Sequence, residues 1–211
     1  MVSSGRSGRL QRDLPSEPIR AFVAVELPPS LRQALLREMG GLRSNLGDST
    51  LRWVRPEAIH LTLRFLGEST PEKLAEVGEI MAQVCGRHPP LTAQVRGLGR
   101  FPGGWRPRVI WIGVQESTGG LAAVQAELEM RIAKMGYPTE DRSFHPHLTL
   151  ARVRREVSPS GLRQLAEQLE HMNAGDLGQL DITHLSLMRS QLGAGGASYS
   201  RLSWVEFTGK S

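Results

Sequence analysis

Cysteine is nearly absent: Cys85 is the only one in 211 residues. No intrachain disulfide can form, and a cysteine cage for zinc is excluded. Its place within a helical pattern predicts a small buried hydrophobe. Long apolar runs are absent too. None approaches the roughly 18 residues of a membrane span, and the arginines near the N-terminus precede no signal-peptide core. A soluble, cytoplasmic protein with no membrane role is the expectation. Aromatic residues make up only 5% of the chain. Phosphate-cradling and dinucleotide-binding glycine fingerprints are also missing, so neither ATP nor NAD is signalled and no cofactor is expected.

What is present is a basic balance. Lys and Arg number 26 against 21 Asp and Glu, a net charge of +5 with a pI near 10.1. An anionic partner fits that balance, but arginine is frequent throughout and charge alone does not identify nucleic acid. A 39% hydrophobic and 22% charged composition is ordinary for a globular protein. The length suits one domain or two closely packed lobes. Residues 1–17, rich in Ser, Gly, Arg and Pro, read as a disordered basic tail, leaving 18–211 as one bilobal domain.

Order begins with a strand over 19–27, ended by Pro28-Pro29. Ser30 is the expected cap of a helix with Leu31, Leu35, Met39 and Leu42 inward. A short strand at 51–54 precedes one at 59–66, which Gly67 is expected to break. Thr70-Pro71-Glu72 starts a helix carrying Leu74, Val77 and Val84. Strands over 91–98 and 108–114, a helix over 120–135 and a strand over 147–153 follow. A fourth helix carries Leu162, Leu165 and Leu169, and strands at 180–189 and 199–207 close the chain, linked by Gly193–Ala197.

One tetrapeptide occurs twice: His60-Leu61-Thr62-Leu63 and His147-Leu148-Thr149-Leu150. Composition alone gives odds of roughly one in two hundred for a second copy. On a strand, residues i and i+2 share a face. Each copy therefore presents a His and a Thr together and sends two leucines to the core. Two such strands side by side line one cleft with two imidazoles and two hydroxyls, the parts needed for acid–base work on a phosphate. With a helix after each copy, the pattern reads as a duplication. The expected fold is α+β: two lobes related by an approximate two-fold axis, each with a largely antiparallel sheet and flanking helices, and the cleft between them.

Near neutral pH one histidine of such a pair can be neutral while the other is charged. Thr62 and Thr149 are candidate donors to phosphate oxygens, though Thr is also a common strand residue. Arg152 lies on the opposite face of an ideal strand from Thr149, so only a twist or bulge brings it to the cleft. A zinc site from His60, His145 and His147 lacks carboxylate and cysteine partners and makes a weak case; no metal is expected. Phe65 and Tyr199 are candidates for base stacking. Phe101 and Trp105 read first as loop packing, and Trp111, inside an apolar strand, as core.

Several stretches carry a family resemblance: Arg20-Ala21-Phe22-Val23-Ala24-Val25-Glu26-Leu27-Pro28, Trp53-Val54-Arg55-Pro56 leading to His60–Gly67, Pro107–Val114, and Phe144-His145-Pro146-His147-Leu148-Thr149-Leu150-Ala151-Arg152. Over about residues 19–207 the chain resembles the 2H phosphoesterases, specifically the RNA 2′,3′-cyclic phosphodiesterases also called 2′-5′ RNA ligases. The resemblance implies a bilobal fold and metal-free hydrolysis of RNA 2′,3′-cyclic phosphate ends to 2′-phosphomonoesters. ATP-independent 2′-5′ ligation is a further implied activity. It implies His60 as general acid and His147 as general base, with Thr62, Thr149 and Arg152 holding the phosphate. The implied partners are RNA with cyclic phosphate ends or small cyclic nucleotides, with no obligate protein partner. A non-catalytic RNA-end or nucleotide binder using the same cleft, and a metal-dependent hydrolase, stand as alternatives.

Overall fold

Nine strands and four helices follow the apolar periodicity of the chain in this computed structural model, which describes residues 17–140, 142–193 and 196–210. Apart from Glu17, the expected N-terminal tail lies outside the described residues. In chain order the elements are β1 (Ile19–Glu26), α1 (Pro29–Leu46), β2 (Leu51–Trp53), β3 (His60–Ser69), α2 (Pro71–Cys85), β4 (Leu91–Phe101), β5 (Val109–Gln115), α3 (Gly120–Lys134), β6 (His147–Val153), α4 (Pro159–Glu170), β7 (Asp176–Ile182), β8 (His184–Gly193) and β9 (Gly196–Glu206). Thr70 and Ser158 cap α2 and α4, their hydroxyls accepting from Lys73 N and Gly161 N. Ser30, expected to cap α1, sits inside its first turn instead. Pro28 is the cap residue, and Pro29 brings the fixed φ that suits a helix start.

The strands join in one antiparallel sheet of order β7-β4-β5-β6-β3-β1-β8-β9, with β2 beside β6. Its two central strands, β3 and β6, carry the repeated motif. They pair at a single register position, Leu61 opposite Leu148. Two half-sheets therefore meet at the motifs, the expected lobes fused into one sheet. All four helices cover one face: Val23, Val25, Leu61, Leu63, Ile112, Leu148 and Leu150 pack there with Leu35, Leu74, Val77 and Leu128, and Ile110, Ala151 and Val153 pack with Leu162 and Leu165 of α4. The other face is open.

β4 runs on to Phe101 and β9 begins at Gly196, both longer than expected, and two further strand boundaries differ for identifiable reasons. The segment 180–189 is two strands, because the chain crosses from β7, paired with β4, to β8, paired with β1, within the single residue Thr183. Gly67 does not end β3. It takes φ +68 at an irregularity opposite Ala21 and Phe22, and pairing continues to Ser69.

On the helix side, Arg64 is only 3% exposed. Its Nε lies 2.9 Å from Glu129 Oε2 of α3, ion-paired though off the hydrogen-bond axis. Its other nitrogens reach Glu140 and donate to the Pro138 carbonyl. Arg64 thus ties the first motif strand to the segment that leads into the second motif. Removing one partner of such a buried pair leaves the other charge stranded. Arg64→Ala should lower unfolding free energy by about 3 kcal/mol in a urea titration. Adding Glu129→Gln should cost clearly less than the sum of the single changes; strict additivity would show that the pair is not coupled.

Candidate active site

Both motif strands carry the same defect. On β3, Ala24 faces Thr62 and Val23 faces Arg64, so Leu63 is the extra residue of a β-bulge. On β6, Trp111 faces Thr149 and Ile110 faces Ala151, so Leu150 is the extra one. The repeat therefore extends beyond four residues, since His60–Leu66 and His147–Val153 share one burial sequence, with two consecutive buried positions at the bulge. A bulge resets the alternation of faces. Arg152 consequently joins His147 and Thr149 on the open face, and Phe65 joins His60 and Thr62 at the equivalent place. This is the bulge that Arg152 required. Phe65 is 58% exposed.

Extending the Leu61–Leu148 register by one residue each way sets His60 opposite Thr149 and Thr62 opposite His147. In backbone register, each motif's histidine thus lies beside the other motif's threonine position. The two rings are anchored alike. His60 Nδ1 bonds the Ala58 carbonyl at 2.9 Å and His147 Nδ1 bonds the His145 carbonyl at 2.7 Å. A carbonyl only accepts, so Nδ1 carries hydrogen in both rings. In the neutral rings Nε2 is then the free lone pair.

Their electrostatic settings differ. Burial lowers the His60 pKa to about 4, against the Ala58 bond and the charge of Glu26, which both favour the protonated ring; the charge of His147 lowers it further. Glu26 sits directly across from His60 on β1 and accepts from Ser186 Oγ (2.7 Å) and Arg201 Nη1 (3.0 Å). His147 is also lowered, first by burial, with the His145 bond opposing and the charges of His145 and Arg152 adding. One ring has a carboxylate neighbour; the other has cations.

Aromatic walls flank each ring. Phe22 stacks on His60 with centroids 4.6 Å apart, and Tyr199 meets its edge at 4.9 Å. Phe101 and Trp111 lie 5.0 and 6.1 Å from His147, and both also contact His145. Trp111, expected in the core, stands on the open face because it shares the side of β5 that faces Thr149. Its indole lies over Gly99, where a Cβ would come within 2.2 Å of the ring. Phe22, Glu26, Phe101 and Trp111 were not singled out as site residues from sequence. Alternation along Phe22-Val23-Ala24-Val25-Glu26 carried the signal for the first two, once β1 is known to pair with β3. His88 instead pairs with Glu127 at 2.8 Å on the helix side. Cys85 is buried, as expected, and burial pushes its thiol up to about 12. Among the described residues no three His, Cys, Asp or Glu side chains converge as a metal-ligand group, and no helix is long and apolar enough to cross a membrane.

A sequence profile of the 2′-5′ RNA ligase superfamily matches residues 27–194, most of the chain and both motifs. The chain belongs to that superfamily. Among its curated superfamily relatives, an RNA 2′,3′-cyclic phosphodiesterase of Methanothermobacter thermautotrophicus is 33% identical over 86% of this chain and 95% of its own length. One from Aeropyrum pernix is 36% identical over 72% of this chain and 84% of its own. The crystal structure of Escherichia coli LigT complexed with 3′-AMP superposes with a TM-score of 0.72 at 27% identity, covering 91% of this chain and 99% of that one. The superfamily fold is thus the α+β arrangement described above, with the duplicated motif at its centre.

The depressed His60 pKa has a consequence for stability. The folded state refuses a proton that the unfolded chain accepts below about pH 6.5, so stability present above that pH is lost as pH falls toward 4. Urea midpoints measured between pH 7 and 4.5 should show His60→Gln removing about 2 kcal/mol of the acid-induced loss. An unchanged pH dependence in the variant would contradict the burial assigned to His60.

Proposed function

We propose that the protein hydrolyses the 2′,3′-cyclic phosphate ends of RNA to 2′-phosphomonoesters, using the two motif histidines as acid and base. The observation that carries this reading is the meeting of the two motif strands at Leu61–Leu148, with both imidazoles tethered alike through Nδ1 so that Nε2 is the lone pair of each neutral ring. The named activity of the curated relatives supports the choice of substrate.

His147, lowered first by burial and further by the neighbouring Arg152 charge, is neutral near pH 7 and is the base. Its Nε2 takes a proton from water as the oxygen attacks phosphorus. His60 is the acid, because Glu26 supplies a counter-charge to its protonated form. The free site depresses that form, and the incoming phosphate adds the negative charge that favours it. His60 Nε2 delivers its proton to O3′ as the P–O3′ bond breaks. One water is consumed, the phosphate remains on O2′, and both histidines return to their starting states in the next proton exchange with solvent. Thr62, Thr149 and Arg152 hold the non-bridging oxygens, where charge accumulates. Phe65 and Tyr199 offer stacking surface to the terminal base. With a 5′-hydroxyl in place of water as the nucleophile, the same two transfers in the same direction join O5′ to phosphorus, release O3′ and give a 2′-5′ linkage without ATP.

With a short RNA ending in 2′,3′-cyclic phosphate, kept in EDTA, the expected product is a 2′-phosphate identified by mass and phosphatase sensitivity. His60→Ala and His147→Ala should each lower kcat by about 10²–10⁴ while the fold stays intact. Retention of most activity in either variant would defeat the paired roles, and loss in EDTA would favour a metal-dependent hydrolase. Binding of the RNA end without turnover would instead identify a nucleotide binder.

The pH profile of kcat/KM should be a bell. Its acid limb marks protonation of His147 and its basic limb loss of the His60 proton. Both groups are lowered, which places the optimum below pH 6.5. A single-limbed profile overturns the assignment.

A further inference from the structure

Two groups of arginines, one on the open face and one where the β4–β5 connection meets α4, are in no ion pair among the described residues. Arg52 of β2 and Arg152 of β6 are a directly opposed cross-strand pair. Both are exposed, and among the described residues neither is in an ion pair. Direct opposition puts the two side chains on one face, here the open face of the motif histidines. Like charges so placed oppose folding unless an anion lies between them.

Across β6, Arg152 faces Val109, and Val109 faces Phe101. Between Phe101 and Val109 runs the β4–β5 connection, residues 102–108. At its tip Trp105 is 41% exposed. Two guanidinium groups cover the indole, Arg106 at 3.9 Å and Arg163 of α4 at 4.8 Å from the ring centroid. The loop is fixed there by Arg100, which donates to the carbonyls of Gly104 (3.1 Å) and Ala166 (3.3 Å) and pairs with Glu170 (2.8 Å). Arg106 and Arg163 are likewise outside the described ion pairs. A braced, exposed indole between two unneutralised cations is poorly explained by packing. It suits a partner that carries both flat rings and negative charge.

We infer that this path, from the Arg52–Arg152 pair past the Val109 end of β5 to the Arg106–Trp105–Arg163 stack, holds the RNA strand on the 5′ side of its cyclic phosphate end. Arg52 takes a phosphate upstream of the terminal nucleotide, and Trp105 stacks a base further along. The substrate is thereby single-stranded RNA several nucleotides long in preference to a cyclic mononucleotide. The inference rests on the cyclic-phosphate reading of the cleft and adds its substrate class.

The test compares adenosine 2′,3′-cyclic monophosphate with a ten-nucleotide RNA carrying the same cyclic end. The wild type should show kcat/KM at least about tenfold higher for the RNA, an advantage that shrinks as salt is raised. Trp105→Ala should lower the RNA value by about five- to tenfold, and Arg52→Gln should lower it and flatten its salt dependence, each leaving the mononucleotide value, which reads the cleft alone, within twofold. Equal wild-type values for the two substrates, or variants that lower both alike, would overturn the path. If the wild type hydrolyses neither substrate, the cyclic-phosphate reading fails separately. The path is then read by fluorescence anisotropy of a labelled ten-nucleotide RNA with a 3′-phosphate: weaker binding by Trp105→Ala supports it, and undiminished binding overturns it.

Discussion

A single backbone pairing, Leu61 against Leu148, organises the site. The strands that meet there are the two copies of the motif, so the contact brings the two copies side by side. Both leucines are fully buried, and the helices behind them hold the contact closed. A register slip of one residue on either strand would send its His and Thr into the helical layer and two leucines to the open face. The hydrophobic core and the reactive groups are therefore specified by the same four residues. Burial of the leucines fixes where the polar pair must point.

Symmetry of the backbone coexists with asymmetry of charge. Both imidazoles are tethered through Nδ1 to the carbonyl two residues earlier. Their surroundings then diverge through residues outside the repeat: β1 brings Glu26 to His60, while β5 brings Gly113 to the corresponding place beside His147. Glu26 is itself held by Ser186 and Arg201, far along the chain. Two like backbone settings thus hold imidazoles in different electrostatic surroundings, because the neighbouring strands differ while the motif strands stay alike.

Much of this was legible in the chain. The repeated His-Leu-Thr-Leu, the alternation of its faces and the helical stripes led to the motif strands, the helices and the reactive face. The bulges were harder to see. They break the period of two only at Leu63-Arg64 and Leu150-Ala151, and a charged residue such as Arg64 next to a strand leucine suggests solvent, whereas it lies under the sheet. Arg152 was placed correctly only conditionally, because its face depends on that one inserted residue. Trp111 was misjudged because Val109-Ile110-Trp111-Ile112-Gly113-Val114 is apolar throughout, and no local pattern shows which side carries helices. Strand order was illegible for a similar reason, since it is set by pairings between residues far apart in sequence, such as Glu26 with Ser186 or Leu91 with Ile182.

The order of strands ties the two halves of the chain to each other. Each motif strand is followed by a helix and then, directly after α2 or after β7 in the second half, by a strand that joins the other half-sheet. The strand after α2, β4, sits in the half-sheet of β5 and β6, while β8, beyond α4, returns to the half-sheet of β1 and β3. Neither repeat, cut free, would keep a complete half-sheet. This exchange is the geometry of a domain-swapped homodimer rewritten within one polypeptide. Cutting the chain after Phe101 would therefore leave each fragment without a strand that its half-sheet needs, so the two halves stand or fall together.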